Sequence, residues 1–273
     1  MRFNSRSSVK NLLNKFNIRT SRHLGQNFLV NEKMIDTVVS AGQLGPSDLV
    51  LEIGPGIGNL TQKLAEKAKR VVALEKDERM VEVLKETLAD LKNVAVIQGD
   101  ALQAKILFNH NYKAVGNLPF YITSPLIRRF LESVEIKPDL MVFLVQKEVG
   151  QRICAQPPDM SLLAVAVQIY AKVEIISYVP KKSFWPEPKV NGAIIRITPD
   201  AKPIGDKDLF FKIVKAGFSQ PRKQLINNLS NSLKIDKVET GEWLLKGGVQ
   251  PTQRAETLSM DEWIELVKSY KIN

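Results

Sequence analysis

Between residues 48 and 149 the chain alternates short apolar runs with amphipathic helical patterns, and this rhythm restricts its fold more than any other feature. "DLVLEIG" (48–54) reads as a buried strand ending at glycine, and "LTQKLAEKA" (60–68) as an amphipathic helix. "RVVALEKD" (70–77), "NVAVIQGDAL" (93–102), "YKAVGNL" (112–118) and "DLMVFLVQKEV" (139–149) read as further strands. "ERMVEVLKETLADL" (78–91) and "PLIRRFLES" (125–133) carry apolar residues at helical spacing. Strands separated by helices imply a parallel sheet covered on both faces. Right-handed crossovers then bring the strand C-termini to one edge, where ligands bind.

The pattern then changes. "AVAVQIYAKVEIISYVP" (164–180) and "GAIIRITP" (192–199) read as a hairpin-like strand pair at a sheet edge, around the Pro-rich loop "FWPEPKV" (184–190). After Pro203 strand signals stop, and "DLFFKIVKAGF", "RKQLINNLSNSL" and "MDEWIELVKSY" are helical in period. The expected division is an α/β domain over residues 1–203 and a small α-helical domain over residues 204–273.

The net charge of +10 is unevenly spread. Residues 1–31 hold six Lys/Arg and no acid, residues 32–200 hold 21 basic and 20 acidic residues, and residues 201–273 hold 12 and 9. Basic ends around a neutral middle suit a polyanion held beside an active site. Cys154 is the single cysteine, which excludes an intrachain disulfide and suits a reducing compartment. With only His23 and His110 besides, a Cys/His zinc cluster is excluded, and no metal is expected. No apolar run is long enough to cross a bilayer. The expectation is a cytoplasmic, monomeric protein with a basic N-terminal arm.

"LEIGPGIGNLT" places Gly54, Gly56 and Gly58 directly after the first predicted strand. Glycine admits positive φ and lets backbone approach a ligand closely. The nicotinamide fingerprint needs a glycine where Asn59 stands. The G-x-G-x-G spacing is instead that of S-adenosylmethionine-dependent methyltransferases. Glu75 ends the second strand, where an acid can accept from ribose hydroxyls. Asp100 ends the third and is placed to accept from an adenine amino group.

The chain resembles the ribosomal RNA adenine N6-dimethyltransferases, with its match in their bacterial small-subunit (16S) branch. The resemblance covers roughly residues 18–270. It rests on "HLGQNFL", "LEIGPGIGNLT", "ALEKD", "GDAL", "GNLPF" and "QKEVGQRI", then on "VPKKSFWPEPKVNGAI", "FSQPRKQLINNL" and "QPTQRAETLSMDEW". It implies a Rossmann-like methyltransferase domain, a small helical RNA-binding domain, S-adenosyl-L-methionine as cofactor and 16S rRNA as partner. It implies cofactor contacts at Asn27, Leu29, Gly54, Glu75, Asp100 and Asn117, and we extend the expected set to Gly56 and Ala101. "GQNFL" would fold over the methionine end of the cofactor; from the residues alone Asn27 and Leu29 read as a loop before a helix. The chain departs from the family pattern at Phe120, where tyrosine is usual, at Pro221, where arginine is usual, and in "DMSLLAV", which lacks a Tyr-Gly pair.

The activity so implied is dimethylation of N6 on two adjacent adenosines in a hairpin near the 3′ end of 16S rRNA. Acceptors on the amine's two N–H groups would hold it for attack and stabilise developing positive charge. The Asn117 side-chain oxygen and the Leu118 or Pro119 carbonyl are the candidates. The fixed dihedral of Pro119 steadies the turn, Phe120 is expected to stack on the base, and Tyr121 is expected to pack. Candidate phosphate contacts are Arg19 and Arg22, Arg128 and Arg129, and Arg222 and Lys223. The alternatives are a large-subunit (23S) methylase of the macrolide-resistance type and a non-catalytic assembly factor.

Overall fold

The computed structural model describes residues 5–21, 25–105, 108 and 110–270, with Phe120 described by its backbone alone. The expected basic arm is partly a helix. α1 (Arg6–Lys15) starts on a capping box between Ser5 and Ser8 and buries Val9, Leu12 and Leu13, so its lysines ride on an amphipathic helix. β1 (Phe28–Leu29) is a two-residue strand, followed by α2 (Glu32–Ala41), whose N-terminus is capped by Asn31. The alternating region follows: β2 (Leu49–Ile53), α3 (Asn59–Ala65), β3 (Arg70–Glu75), α4 (Glu78–Thr87), β4 (Val94–Gln98), β5 (Lys113–Asn117), α5 (Thr123–Glu132) and β6 (Leu140–Gln146).

Two expected strands are shorter than their apolar runs. β6 stops at Gln146, and α6 (Lys147–Ile153) takes over. The run 164–180 is not one strand. Ser161 accepts a hydrogen bond from the Ala164 N–H and starts α7 (Leu162–Gln168), and only then does β7 (Ala171–Val179) begin. A good cap outweighs the β-branched residues of that helix. β8 (Phe184–Trp185) lies inside the expected Pro-rich loop and pairs antiparallel with β1, Phe28 opposite Trp185 and Leu29 opposite Phe184. β9 (Gly192–Pro199) completes the strands.

The seven-stranded sheet has the order β4-β3-β2-β5-β6-β9-β7. β4 to β6 are mutually parallel, and β9 runs antiparallel to β6. The strand pair expected at one edge is β9 and β7. β6 is apolar along its length because both its faces are covered. On one face Val50, Val71, Val115 and Val142 pack with Ile35, Val38, Leu60 and Leu64 from α2 and α3. On β6, Phe143 also meets Phe130 of α5, with ring centroids 6.2 Å apart. Each fully buried side chain of this kind contributes about 1.5–3 kcal/mol. A separate cluster joins α1 to Phe28, Ile57, Met80 and Val83.

Compact units divide the chain differently from a single cut near residue 204. One comprises residues 1–150 and 173–199, the other residues 151–172 and 200–273. The helical unit thus gains α7, whose end is tied by the Lys202 N–H to the Ile169 carbonyl and by the Asp200 N–H to the Tyr170 carbonyl. Its other helices are α8 (Lys207–Gly217), α9 (Leu225–Leu233), α10 (Lys237–Lys246) and α11 (Met260–Lys268).

Candidate active site

β2, β3 and β4 step one way across the sheet and β5, β6 the other, so the strand order reverses between β2 and β5. Such a reversal opens a crevice at the strand C-termini. A cleft with about 730 Å³ of empty space lies there. Gly54 and Gly56 follow β2, Glu75 ends β3, Asp100 and Ala101 follow β4, and Asn117 and Pro119 lie at the end of β5; all line it, facing Asn27. The strand-end residues expected from the sequence are thus brought together.

Gly54 and Gly56 have φ of +65° and +59°, a region that side chains other than glycine rarely adopt. A Cβ at Gly56 would also lie 2.9 Å from the Phe28 ring. Glu75 fastens this loop. Its Oε2 accepts from the Gly56 N–H at 3.1 Å, and its Oε1 accepts from the Asp77 N–H at 2.9 Å. Burial pushes the Glu75 carboxyl above its ordinary value, against the pull of those backbone donors. Asp100 accepts from Lys76 Nζ at 2.8 Å and from the Leu102 N–H at 2.9 Å. The lysine holds its carboxyl below the usual range.

Asn117 is oriented by its own hydrogen bond. Nδ2 donates to the Asn27 carbonyl at 2.8 Å. Only the amino end can face a carbonyl, so Oδ1 is the acceptor end left to the cleft. The Leu118 N–H donates to the Leu144 carbonyl at 3.0 Å, and the Pro119 carbonyl accepts from the Ile122 N–H at 3.1 Å. Gly116 lets β5 come close to β2, since a Cβ there would meet the Ile53 carbonyl oxygen at 2.6 Å. The segment carrying Asn27 is itself anchored, through Gln26 Nε2 donating to Asp77 at 2.7 Å.

Other expected residues sit differently. Leu29 does not line the main cleft. It is buried in the sheet core and lines a smaller cavity with Glu52, Gly54, Gly56 and Asn117. Leu118 is buried, while its sequence neighbours Asn117 and Pro119 line the cleft. The Phe120 side chain and Arg22 lie outside the described residues. Arg19, Arg222 and Lys223 are exposed. Arg128 is exposed and paired with Glu132 at 2.9 Å. Arg129 turns inward, its Nη2 donating to the Ala104 carbonyl at 2.6 Å. Neighbours on a helix point about 100° apart, so the two arginines do not form one basic pair.

Two residues escaped the sequence reading, and a third sits otherwise than expected. Glu52 is fully buried, its Oε2 has no partner among the described residues, and burial pushes its carboxyl up to about 8. Lys76 lines the cleft and holds Asp100. Tyr121, expected to pack, is 54% exposed and lines the cleft, because the single 3-10 turn Phe120–Ile122 carries it outward.

A family model described as ribosomal RNA adenine dimethylase matches residues 16–271. The chain is 40% identical to Ribosomal RNA small subunit methyltransferase A of Dehalococcoides mccartyi (strain ATCC BAA-2266), over 98% of this chain and 94% of the relative. It is also 40% identical to the protein of that name from Bacillus cereus (strain B4264), over 94% of each. Among solved structures, the 23S rRNA methyltransferase ErmE superposes with a TM-score of 0.74 at 27% identity, over 89% of this chain and 99% of that one. A dimethyladenosine transferase from Plasmodium falciparum gives 0.72 at 27%, over 86% and 94%. With its Rossmann-like sheet and its cleft at the strand reversal, the chain belongs to the ribosomal RNA adenine dimethylase family.

Proposed function

We propose that this enzyme dimethylates N6 of two adjacent adenosines in a hairpin near the 3′ end of 16S rRNA, as a step of small-subunit biogenesis. Identities of 40% to small-subunit methyltransferases, against 27% to a 23S enzyme, support that target over the large-subunit one. A binding-only assembly factor would not need Gly54, Glu75, Asp100 and Asn117 around one cleft. One chain supplies all of these residues, so a monomer suffices. The bacterial relatives act on ribosomal RNA, which supports work in the cytoplasm. Among the described residues no helix is long and apolar enough to cross a membrane.

S-adenosylmethionine is the methyl donor, and the cleft fits it. The backbone at Gly54 and Gly56 admits close approach, while Glu75 and Asp100 offer carboxylates to a ribose and an adenine amine. Asn27, Ala101 and Asn117 complete the set, with Leu29 acting from behind. When bound, the cofactor supplies an electrophilic methyl group.

The observation that carries the reading is the tethered Asn117 amide. With Nδ2 held by Asn27, Oδ1 accepts from one N–H of the substrate amine. The other is taken by the Leu118 or the Pro119 carbonyl, the latter also accepting from the Ile122 N–H. Two acceptors turn the N6 lone pair toward attack and stabilise the positive charge that grows on nitrogen. The excess proton leaves N6 to water, so no side-chain base is required. The adenine leaves its stack to reach this position, and Phe120 is its stacking partner. Arg19, Arg128, Arg222 and Lys223 meet phosphates.

The test is radiolabelled methyl transfer to unmethylated small and large subunits, followed by nucleoside analysis. Dimethyladenosine in the small-subunit RNA is expected. Label confined to the large subunit overturns the target, and no label in either overturns the activity.

A further inference from the structure

Among the described residues, Tyr121 is the only large apolar side chain that is both exposed and part of the cleft lining. It follows the Asn117–Pro119 turn by two positions, so its place at the rim is set by the same turn that sets the reacting amine. Lys76 lines the same cleft, half-exposed and paired with Asp100 at 2.8 Å. The residues that would hold the cofactor, Glu75 and Asn117, are buried or half-buried, whereas half of Tyr121 faces solvent. It is therefore open to a ligand that arrives from outside.

An adenine drawn into the cleft leaves the nucleotide beside it unstacked at the mouth. An exposed aromatic ring restores a stacking surface for that base, and a lysine lining the same cleft attracts the phosphate between the two nucleotides. We propose that Tyr121 is a substrate-binding residue that stacks on the nucleotide adjacent to the target adenosine, with Lys76 facing the linking phosphate. In the substrate assigned to this enzyme that neighbour is the second adenosine of the pair. Tyr121 then holds the waiting base while the first is methylated. The inference rests on the reading of the cleft as a methyl-transfer site.

The experiment compares the wild type with Tyr121→Ala, Tyr121→Phe and Tyr121→Trp. Steady-state methyl transfer to unmethylated small subunits is measured, and cofactor affinity is measured separately by calorimetry. Loss of one base–aromatic stack predicts a rise in KM for RNA of roughly 5- to 150-fold in Tyr121→Ala. kcat and cofactor affinity should stay within about two-fold, and Phe and Trp should restore KM. An unchanged KM in Tyr121→Ala overturns the inference, as does a fall in cofactor affinity that accounts for the loss. A Phe variant as impaired as Ala does so too, since the hydroxyl would then be what matters. In all of these the wild type still methylates the subunit, so the reading of the site survives. An inactive wild type overturns both.

Discussion

At Asn117 a single amide hydrogen bond decides which atom is left to the cleft. Asn117→Ala removes the proposed acceptor and leaves Glu75 and Asp100 in place. We expect methyl transfer to fall by roughly 10²–10³, in line with loss of one preorganised polar group, while calorimetry finds a much smaller loss of cofactor affinity, since Asn117 is one of several cofactor contacts and the others remain. Glu52 provides a second residue-scale test. Its carboxyl, pushed up to about 8 by burial, keeps its proton in the folded protein over a range where the unfolded chain, near the ordinary glutamate value of 4.5, has released it. Stability therefore falls as pH rises from about 4.5 through about 8. Glu52→Gln keeps the shape and removes the charge. Thermal melts of that variant should lose this slope and exceed wild type above pH 8. Gly54, Glu75, Asp100 and Asn117 were legible in the sequence because each follows an apolar run at a strand end. Glu52 was not, since one acid inside an apolar strand does not reveal whether it has a partner.

Among the elements, the alternating region was legible because each segment repeats its period over several residues. The β1–β8 pairing was not. Two residues carry no periodicity, and their partners lie more than 150 positions away. α7 hid within an apolar run whose only sign of a helix was Ser161 at its start. The approach of β5 to β2 depends on Gly116, where a Cβ would sit 2.6 Å from the Ile53 carbonyl oxygen. The atom met is backbone, which leaves little room to yield. Gly116→Ala should cost about 1–3 kcal/mol, as overpacking does, read as a lower melting temperature. Because Asn117 is the next residue, turnover should fall further than stability alone explains.

Over the whole molecule, the +10 charge is the feature that addresses RNA. Binding to small-subunit RNA should weaken steeply with salt, because each phosphate neutralised releases counterions. Titrations across a salt series should show the double variant Arg222→Ala, Lys223→Ala with a shallower slope than wild type. Equal slopes would remove those residues from the interface. One bond also links the scales. Asn117 reaches across 90 positions to the Asn27 carbonyl, in a segment that also lines the cleft. Dimethylating one adenosine uses two donor molecules, so the cleft must exchange its contents in mid-reaction. If the segment around Asn27 lifts for that exchange, the amide loses its tether at the same moment. The acceptor is then aimed only while Asn27 holds the amide.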